Sequence, residues 1–290
     1  MNGDGGIIWL ASYPKSGNTW LRIFLTNYLR DGDQPADIND LDGGPIASAR
    51  LVFDEFVGVE ASDLTPDEIE RYRPGVYQQI ANNSQELIFL KVHDAYTRNS
   101  DGEPLFPKEA TRGVIYLIRN PFDVAVSFAH HTGHTVNEMI PRMCKEDFAF
   151  ASRNSSLNEQ LGQKLLSWSG HVLSWVDEPD LNVHVVRYED MLADGKATFT
   201  AVLQFSGLEV DEARLAKAIR FSSFNQLQTQ EQTQGFRERS PRAQAFFRQG
   251  KTGGWRQVLS QAHVDKLIET HREVMRRFGY LAPDDTPTFC

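Results

Sequence analysis

The chain has 290 residues, 40% hydrophobic and 24% charged, a balance that argues against disorder and suits one large α/β domain or two small ones. A formal net charge of −9 argues against a nucleic-acid binder, which needs a basic face, yet permits an anionic ligand met by a few cations in one cleft. The two cysteines, Cys144 and Cys290, argue against a disulfide framework, and the chain has neither a signal-peptide start nor a run long enough to cross a bilayer, so a cytoplasmic protein without a membrane partner is expected.

Residues 7–29 carry the strongest local signal. An apolar run over 7–10 leads through Ser12-Tyr13-Pro14-Lys15-Ser16-Gly17-Asn18-Thr19 into Trp20, Leu21, Phe24, Leu25 and Tyr28 at helical spacing. That pattern is a strand, a tight loop and a helix. N–H groups at a helix start lack internal partners and sit at the positive end of the dipole, which favours an anion there. Lys15 adds charge, Gly17 allows close approach of the backbone, and Ser16 and Thr19 offer hydroxyls. An ordinary strand-to-helix turn with a solvated Lys fits the same residues.

Residues 30–45, rich in Asp, Gly and Pro, read as loop. Thr65 as cap and Pro66 in the first turn mark a helix start, and helices and loops are expected up to residue 83. Residues 87–94 read as a buried parallel strand that brings Lys91 and His93 to its C-terminal edge, where open α/β sheets bind ligands. Asp94 is placed either to orient the His93 imidazole or to alter which acceptors approach. A third strand over 113–119 ends in Arg119, and Asn120-Pro121-Phe122-Asp123 opens a helix that carries Ser127. His130, His131 and His134 follow without a carboxylate or Cys to complete a ligand set, so no metal is expected.

Periodicity weakens over 137–158. An amphipathic helix is expected over 161–176, a strand over 182–188, and helices over 196–205 and 211–218 with a stop at Gly207. Residues 225–242, dominated by Gln, Glu, Arg and Ser, read either as solvated, mobile surface or as part of a lid over 225–247. Residues 245–252 formally satisfy a relaxed triphosphate loop, Ala-x-x-x-x-Gly-Lys-Thr. Phe246, Phe247 and Arg248 fill its cradle, however, and a polar run precedes it where a kinase or ATPase needs a buried strand. A last helix is expected over 262–278, with tails at 1–6 and 282–290.

The opening loop, Tyr13-Pro14-Lys15-Ser16-Gly17-Asn18-Thr19-Trp20, closely resembles the 5′-phosphosulfate loop of the cytosolic-type sulfotransferases, which use 3′-phosphoadenosine 5′-phosphosulfate (PAPS). Further elements resemble that family in its own order. Lys91-Val92-His93 is similar to a Lys-x-His element whose His is the catalytic base, and residues 119–127 are similar to the 3′-phosphate element. Tyr188-Glu189-Asp190 and Ser222-Ser223-Phe224 resemble adenosine-side segments, and residues 246–255 resemble an Arg-Lys-Gly-x-x-Gly-Asp-Trp signature. Asp94-Ala95 departs from the usual Leu-Pro, Gln249 from a Lys and Gly254 from an Asp, with Lys251 a substitute cation.

The resemblance, running from about Ile7 to Leu281, implies an α/β fold: a single domain over 1–290 with a central parallel β-sheet flanked by helices, P-loop-kinase-like in outline. It implies sulfuryl transfer from PAPS to a hydroxyl or amine of a small-molecule acceptor, with no metal. His93, Lys15 and Lys91 would be catalytic. Lys15, Ser16, Gly17, Asn18, Thr19, Trp20, Arg119, Ser127, Tyr188, Ser223, Phe224, Phe247, Arg248, Gln249 and Gly250 would bind PAPS, with adenine between Trp20 and Phe224. A homodimer stays open, because the family's C-terminal dimer motif is not evident around 256–264. A non-catalytic nucleotide-binding scaffold would keep both phosphate loops without needing His93.

Overall fold

The computed structural model describes residues 5–151 and 158–288; Cys290, most of the N-terminal tail and part of the weakly periodic stretch lie outside the described residues. In chain order the regular elements are β1 (Gly6–Ser12), α1 (Asn18–Arg30), α2 (Arg50–Val57), α3 (Pro66–Asn83), β2 (Leu87–Val92), β3 (Thr111–Ile118), α4 (Pro121–Thr132), α5 (Val136–Met143), β4 (Ala149–Phe150), β5 (Gln163–Lys164), α6 (Trp168–Val176), β6 (Val183–Arg187), α7 (Tyr188–Ala193), α8 (Gly195–Phe205), α9 (Glu212–Phe221), α10 (Phe224–Gln234) and α11 (Gln261–Arg277). Strands β2, β1, β3 and β6, in that order, form a central parallel sheet, and β4 and β5 form a separate antiparallel pair. The fold is α/β with helices flanking that sheet.

Two compact units divide the chain. The first comprises Met1–Tyr13, Gly43–Tyr116 and Lys145–Val185; the second comprises Pro14–Asp42, Leu117–Cys144 and Val186–Cys290. In the first unit every residue of β1 is buried, as expected of a parallel strand covered on both faces. Its register with β2 pairs Leu10 with Lys91 and Ala11 with Val92. Trp9 sits edge-on to Tyr77 and Phe106, with ring centroids 5.1 and 4.9 Å away, and its indole N–H donates to Thr111 Oγ1. In the second unit the apolar face of α1 packs Phe24 flat on Phe199 at 4.0 Å.

Thr65 and Glu68 form the capping box that starts α3, and Asn120 caps α4 with Pro121 in its first turn. Two segments differ from the sequence expectation. Helix α6 starts at Trp168 and not at 161, because Leu161, Leu165 and Leu166 spend their N–H groups on the carbonyls of Ser48 and Phe148, after which Ser167 caps the helix. Residues 225–234, part of the run read as solvated surface or lid, belong to helix α10, which buries Leu227 and Glu231 one turn apart.

His171, in the first unit, and His271, in the second, are both buried, and burial lowers each imidazole to about 4. A folded value below the unfolded one, near 6.5, means that this stability is intact above the unfolded value and is lost as pH falls towards the folded one. Urea unfolding at about pH 7.5 and about pH 5 should therefore differ by roughly 2 kcal/mol per histidine, with the lower pH less stable. Equal stabilities at the two pH values would contradict the buried, neutral assignment.

Candidate active site

In the first unit the C-terminal ends of β1 and β2 place Ser12 beside His93. The His93 Nδ1 lies 2.9 Å from the Ser12 carbonyl oxygen and 3.2 Å from Ser12 Oγ. A carbonyl can only accept, so Nδ1 carries the proton of that bond, and in a neutral ring Nε2 would hold the lone pair. The His93 carbonyl accepts from His171 Nε2 at 3.0 Å, and His171 Nδ1 is paired with the Tyr116 hydroxyl at 2.7 Å. Lys91 is half-buried within β2, and its carbonyl accepts from Ala47 N–H.

Asp94 plays neither of the parts expected for it. Its two carboxylate oxygens take a bidentate pair from Arg73 at 2.8 and 2.9 Å, with both side chains almost fully buried. It therefore anchors the chain just after His93 and leaves the imidazole to Ser12. The Asp94 carbonyl also accepts from the Trp175 indole at 3.0 Å.

In the second unit Lys15 and Gly17 both turn through left-handed conformations, with φ of 73° and 103°. Only Gly17 is free of a Cβ, which would lie 2.7 Å from the Tyr188 ring. No side chain caps α1 and no acid lies in its first turn, so the positive helix end keeps its preference for an external anion. Asn18 and Thr19 are buried there, while the Lys15 ammonium stands 3.7 Å from the centroid of the Phe246 ring. Arg119 meets the same loop: Nη1 donates to the Lys15 carbonyl at 3.1 Å, Nη2 to the Lys251 carbonyl at 3.2 Å, and the guanidinium lies 4.1 Å from the centroid of the Tyr188 ring. The two elements expected to hold opposite ends of one nucleotide are thus in contact.

The adenosine-side residues gather in the same unit. The Trp20 indole donates to the Ser222 carbonyl at 2.9 Å and its ring meets Tyr188 edge-on, while Phe224 lies against Gly250, whose φ is 58°. A Cβ at Gly250 would approach that ring to 2.4 Å. Ser223 precedes α10 and is exposed; Ser127 stands half-buried on α4. Phe247, expected among the donor contacts, instead puts its ring in a cluster with Ile23, Ile38, Leu227 and Phe236.

Both departures in the last loop have one structural setting. A Cβ at Gly254 would stand 2.9 Å from Gln249 Oε1, so the small residue makes room for the amide. The loop amides of Gly253 and Trp255 are taken by the buried Asp123 carboxylate at 2.8 and 3.2 Å. Arg248 is exposed, and the His130 imidazole at the end of α4 is held below its ordinary value by burial and then by the charges of Arg248 and Lys15. Among the described residues no group of His, Cys, Asp and Glu is arranged to hold a metal. Residues 245–252 contain neither strand nor helix, so the triphosphate-loop reading lacks its framework.

The sulfotransferase domain profile matches residues 6–279. The chain belongs to the sulfotransferase domain family. Among relatives of this sulfotransferase-domain chain, cytosolic sulfotransferase 13 of Arabidopsis thaliana is 26% identical over 280 residues, 93% of this chain and 76% of its own. Sulfotransferase 1A1 of Bos taurus is 26% identical over 274 residues, 90% of this chain and 80% of its own. Two solved structures share the fold. A mouse sulfotransferase complexed with PAP has a TM-score of 0.60 at 22% identity, covering 93% of this chain and 85% of that one. Retinol dehydratase in complex with androsterone and PAP has a TM-score of 0.63 at 20% identity, covering 96% and 83%.

Two buried donors fit an anionic nucleotide in this sulfotransferase-domain chain. Ser16 Oγ, in the opening loop, and Arg119 Nε, in the second phosphate element, have no hydrogen-bond partner among the described residues. Buried polar groups are normally satisfied, so a ligand rich in acceptor oxygens suits both. Glu231 and Glu238, which tie the 235–247 segment to its surroundings, are residues that sequence reasoning missed; nothing in their local pattern distinguishes them from other acids in a polar run.

Removing one partner of the Arg73–Asp94 pair should cost more than removing both. Arg73→Leu leaves a buried carboxylate alone and should lower stability by about 3–5 kcal/mol, much of which Arg73→Leu with Asp94→Leu should recover. Urea unfolding of the single and double variants checks this, and parental stability in the single variant would contradict it.

Proposed function

We propose that this chain transfers a sulfuryl group from PAPS to a hydroxyl or amine of a small-molecule acceptor, with His93 as general base, Lys15 as the stabilising cation and Lys91 assisting. The observation that carries the proposal is the His93 Nδ1–H bond to the Ser12 carbonyl in a chain of the sulfotransferase domain family, since it leaves Nε2 as proton acceptor. The bound PAP in the mouse sulfotransferase and in retinol dehydratase supports the choice of donor. We take residues 1–290 as one sulfotransferase domain, because a single family profile runs across 6–279.

When bound, PAPS supplies the sulfuryl group and the 3′,5′-bisphosphate that departs. His93 Nε2 takes the acceptor proton as the acceptor oxygen or nitrogen bonds to sulfur. The Lys15 ammonium meets the negative charge that develops on the bridging oxygen as the sulfur–oxygen bond breaks. Ser16, Gly17, Asn18 and Thr19 hold the 5′ end; Arg119, Ser127, Arg248, Gln249 and Gly250 hold the 3′-phosphate; Trp20, Tyr188, Ser223 and Phe224 hold the adenosine. Phe247 serves that loop from the core. Among the described residues no helix is long and apolar enough to cross a membrane, and a cytoplasmic location is part of the proposal.

Incubation with labelled PAPS and a panel of phenols, alcohols, amines and glycosides should yield a labelled product. His93→Ala and Lys15→Ala should each lower kcat about a hundredfold or more, whereas Ser127→Ala should raise the KM for PAPS with little effect on kcat. Normal turnover in His93→Ala would remove it as base. A parent that binds PAPS but transfers nothing would favour the scaffold reading.

A further inference from the structure

One turn into α1, the Arg22 side chain is 5% exposed, and its Nη1 lies 2.5 Å from Oε1 of Glu238. The other oxygen of that carboxylate, Oε2, accepts from Thr19 Oγ1 at 3.3 Å. One carboxylate thus spans a hydroxyl of the first helical turn and a buried guanidinium, beside the loop whose Ser16 hydroxyl is buried without a partner. The segment that carries Glu238 has further ties in the second unit: Arg237 N–H donates to Asn39 Oδ1 at 2.7 Å, and Asn39 Nδ2 to the Gly235 carbonyl at 3.1 Å. The α1 N-terminus favours an anion, and the anion at its flank is the protein's own.

We infer that Arg22 is a further donor-binding residue and that Glu238 is a built-in competitor for it, its carboxylate standing where the anionic 5′ end of the nucleotide would meet Thr19 and Arg22. This rests on the donor-site reading above. Two anions cannot share that space without a large repulsive cost, so donor binding displaces Glu238. A buried guanidinium is costly to leave unpaired, and the exchange of one anion for another keeps Arg22 paired throughout. The cost of releasing Glu238 is subtracted from the apparent affinity for the donor.

The test is calorimetric titration of the full chain with adenosine 3′,5′-bisphosphate and with adenosine 3′-monophosphate, which lacks the 5′ group. Glu238→Gln should bind the bisphosphate about tenfold more tightly and the 3′-monophosphate as the parent does. Arg22→Gln should bind the bisphosphate about tenfold more weakly, again with the 3′-monophosphate unchanged, and Arg22→Lys should recover part of the loss. Thermal melting checks that Arg22→Gln folds; if it does not, Glu238→Gln with both nucleotides decides alone. Unchanged or weaker bisphosphate binding in Glu238→Gln overturns the inference and makes Glu238 a simple tether. A parent that binds neither nucleotide overturns the donor site itself, and the inference with it.

Discussion

A single guanidinium joins three stretches of the second unit that lie far apart in sequence. Arg119 reaches the Lys15 carbonyl, the Lys251 carbonyl and the face of Tyr188, so the opening loop, the start of α7 and the last loop before α11 share one cation. The carbonyl it takes from the opening loop belongs to Lys15, a non-glycine residue in the left-handed region. Such a conformation costs roughly 1–2 kcal/mol, and a hydrogen bond from a charged donor returns a similar amount. The Arg119 bond therefore helps to offset the strain of the turn that exposes the α1 amides. Arginine suits this post because its planar fork serves two carbonyls while its face rests on an aromatic ring, which an ammonium cannot do.

Buried carboxylates hold the same surroundings from beneath. Asp123 takes the Gly253 and Trp255 amides, Glu231 takes those of Phe246 and Phe247 at 2.8 and 2.9 Å, and Glu189 takes that of Asn120 at 3.0 Å. Each fixes a stretch of loop that has no sheet or helix to satisfy its backbone. Glu189 is also close to the Tyr280 hydroxyl, and burial raises its carboxyl above the ordinary range. In the last loop Asp123 fixes the backbone through two amides, and Gly254 yields its space to Gln249.

Elements with strong local signals were legible in the sequence. Strands β1, β2 and β3 are apolar runs bounded by turn residues, and α3, α4 and α11 carry their caps in sequence. The start of α6 was not, because Leu161, Leu165 and Leu166 continue a helical period while their amides are claimed by distant carbonyls. Helix α10 was hidden for the opposite reason: its buried side includes a glutamate, so the apolar stripe that would announce a helix is reduced to Leu227. The short motifs yield candidate site residues from sequence alone, and the structure brings Lys15, Arg119 and Tyr188 of three such motifs together. Glu231, Glu238, Arg22 and the partner of Asp94 could not, since each acquires its role from a residue at least fifteen positions away.

The proposed base has to be aimed, and in the first unit the aim of His93 is set through the backbone. Ser12 offers a carbonyl to Nδ1 of His93, while His171 donates to the His93 carbonyl, Trp175 to that of Asp94, and Arg73 grips the Asp94 carboxylate. The end acceptors are carbonyls, so Nδ1 of His93 and Nε2 of His171 each carry a proton. His171 stays neutral because it is buried. An imidazole aimed through the main chain keeps its aim when the surrounding side chains change. On this view the buried Arg73–Asp94 pair stiffens the chain just after His93.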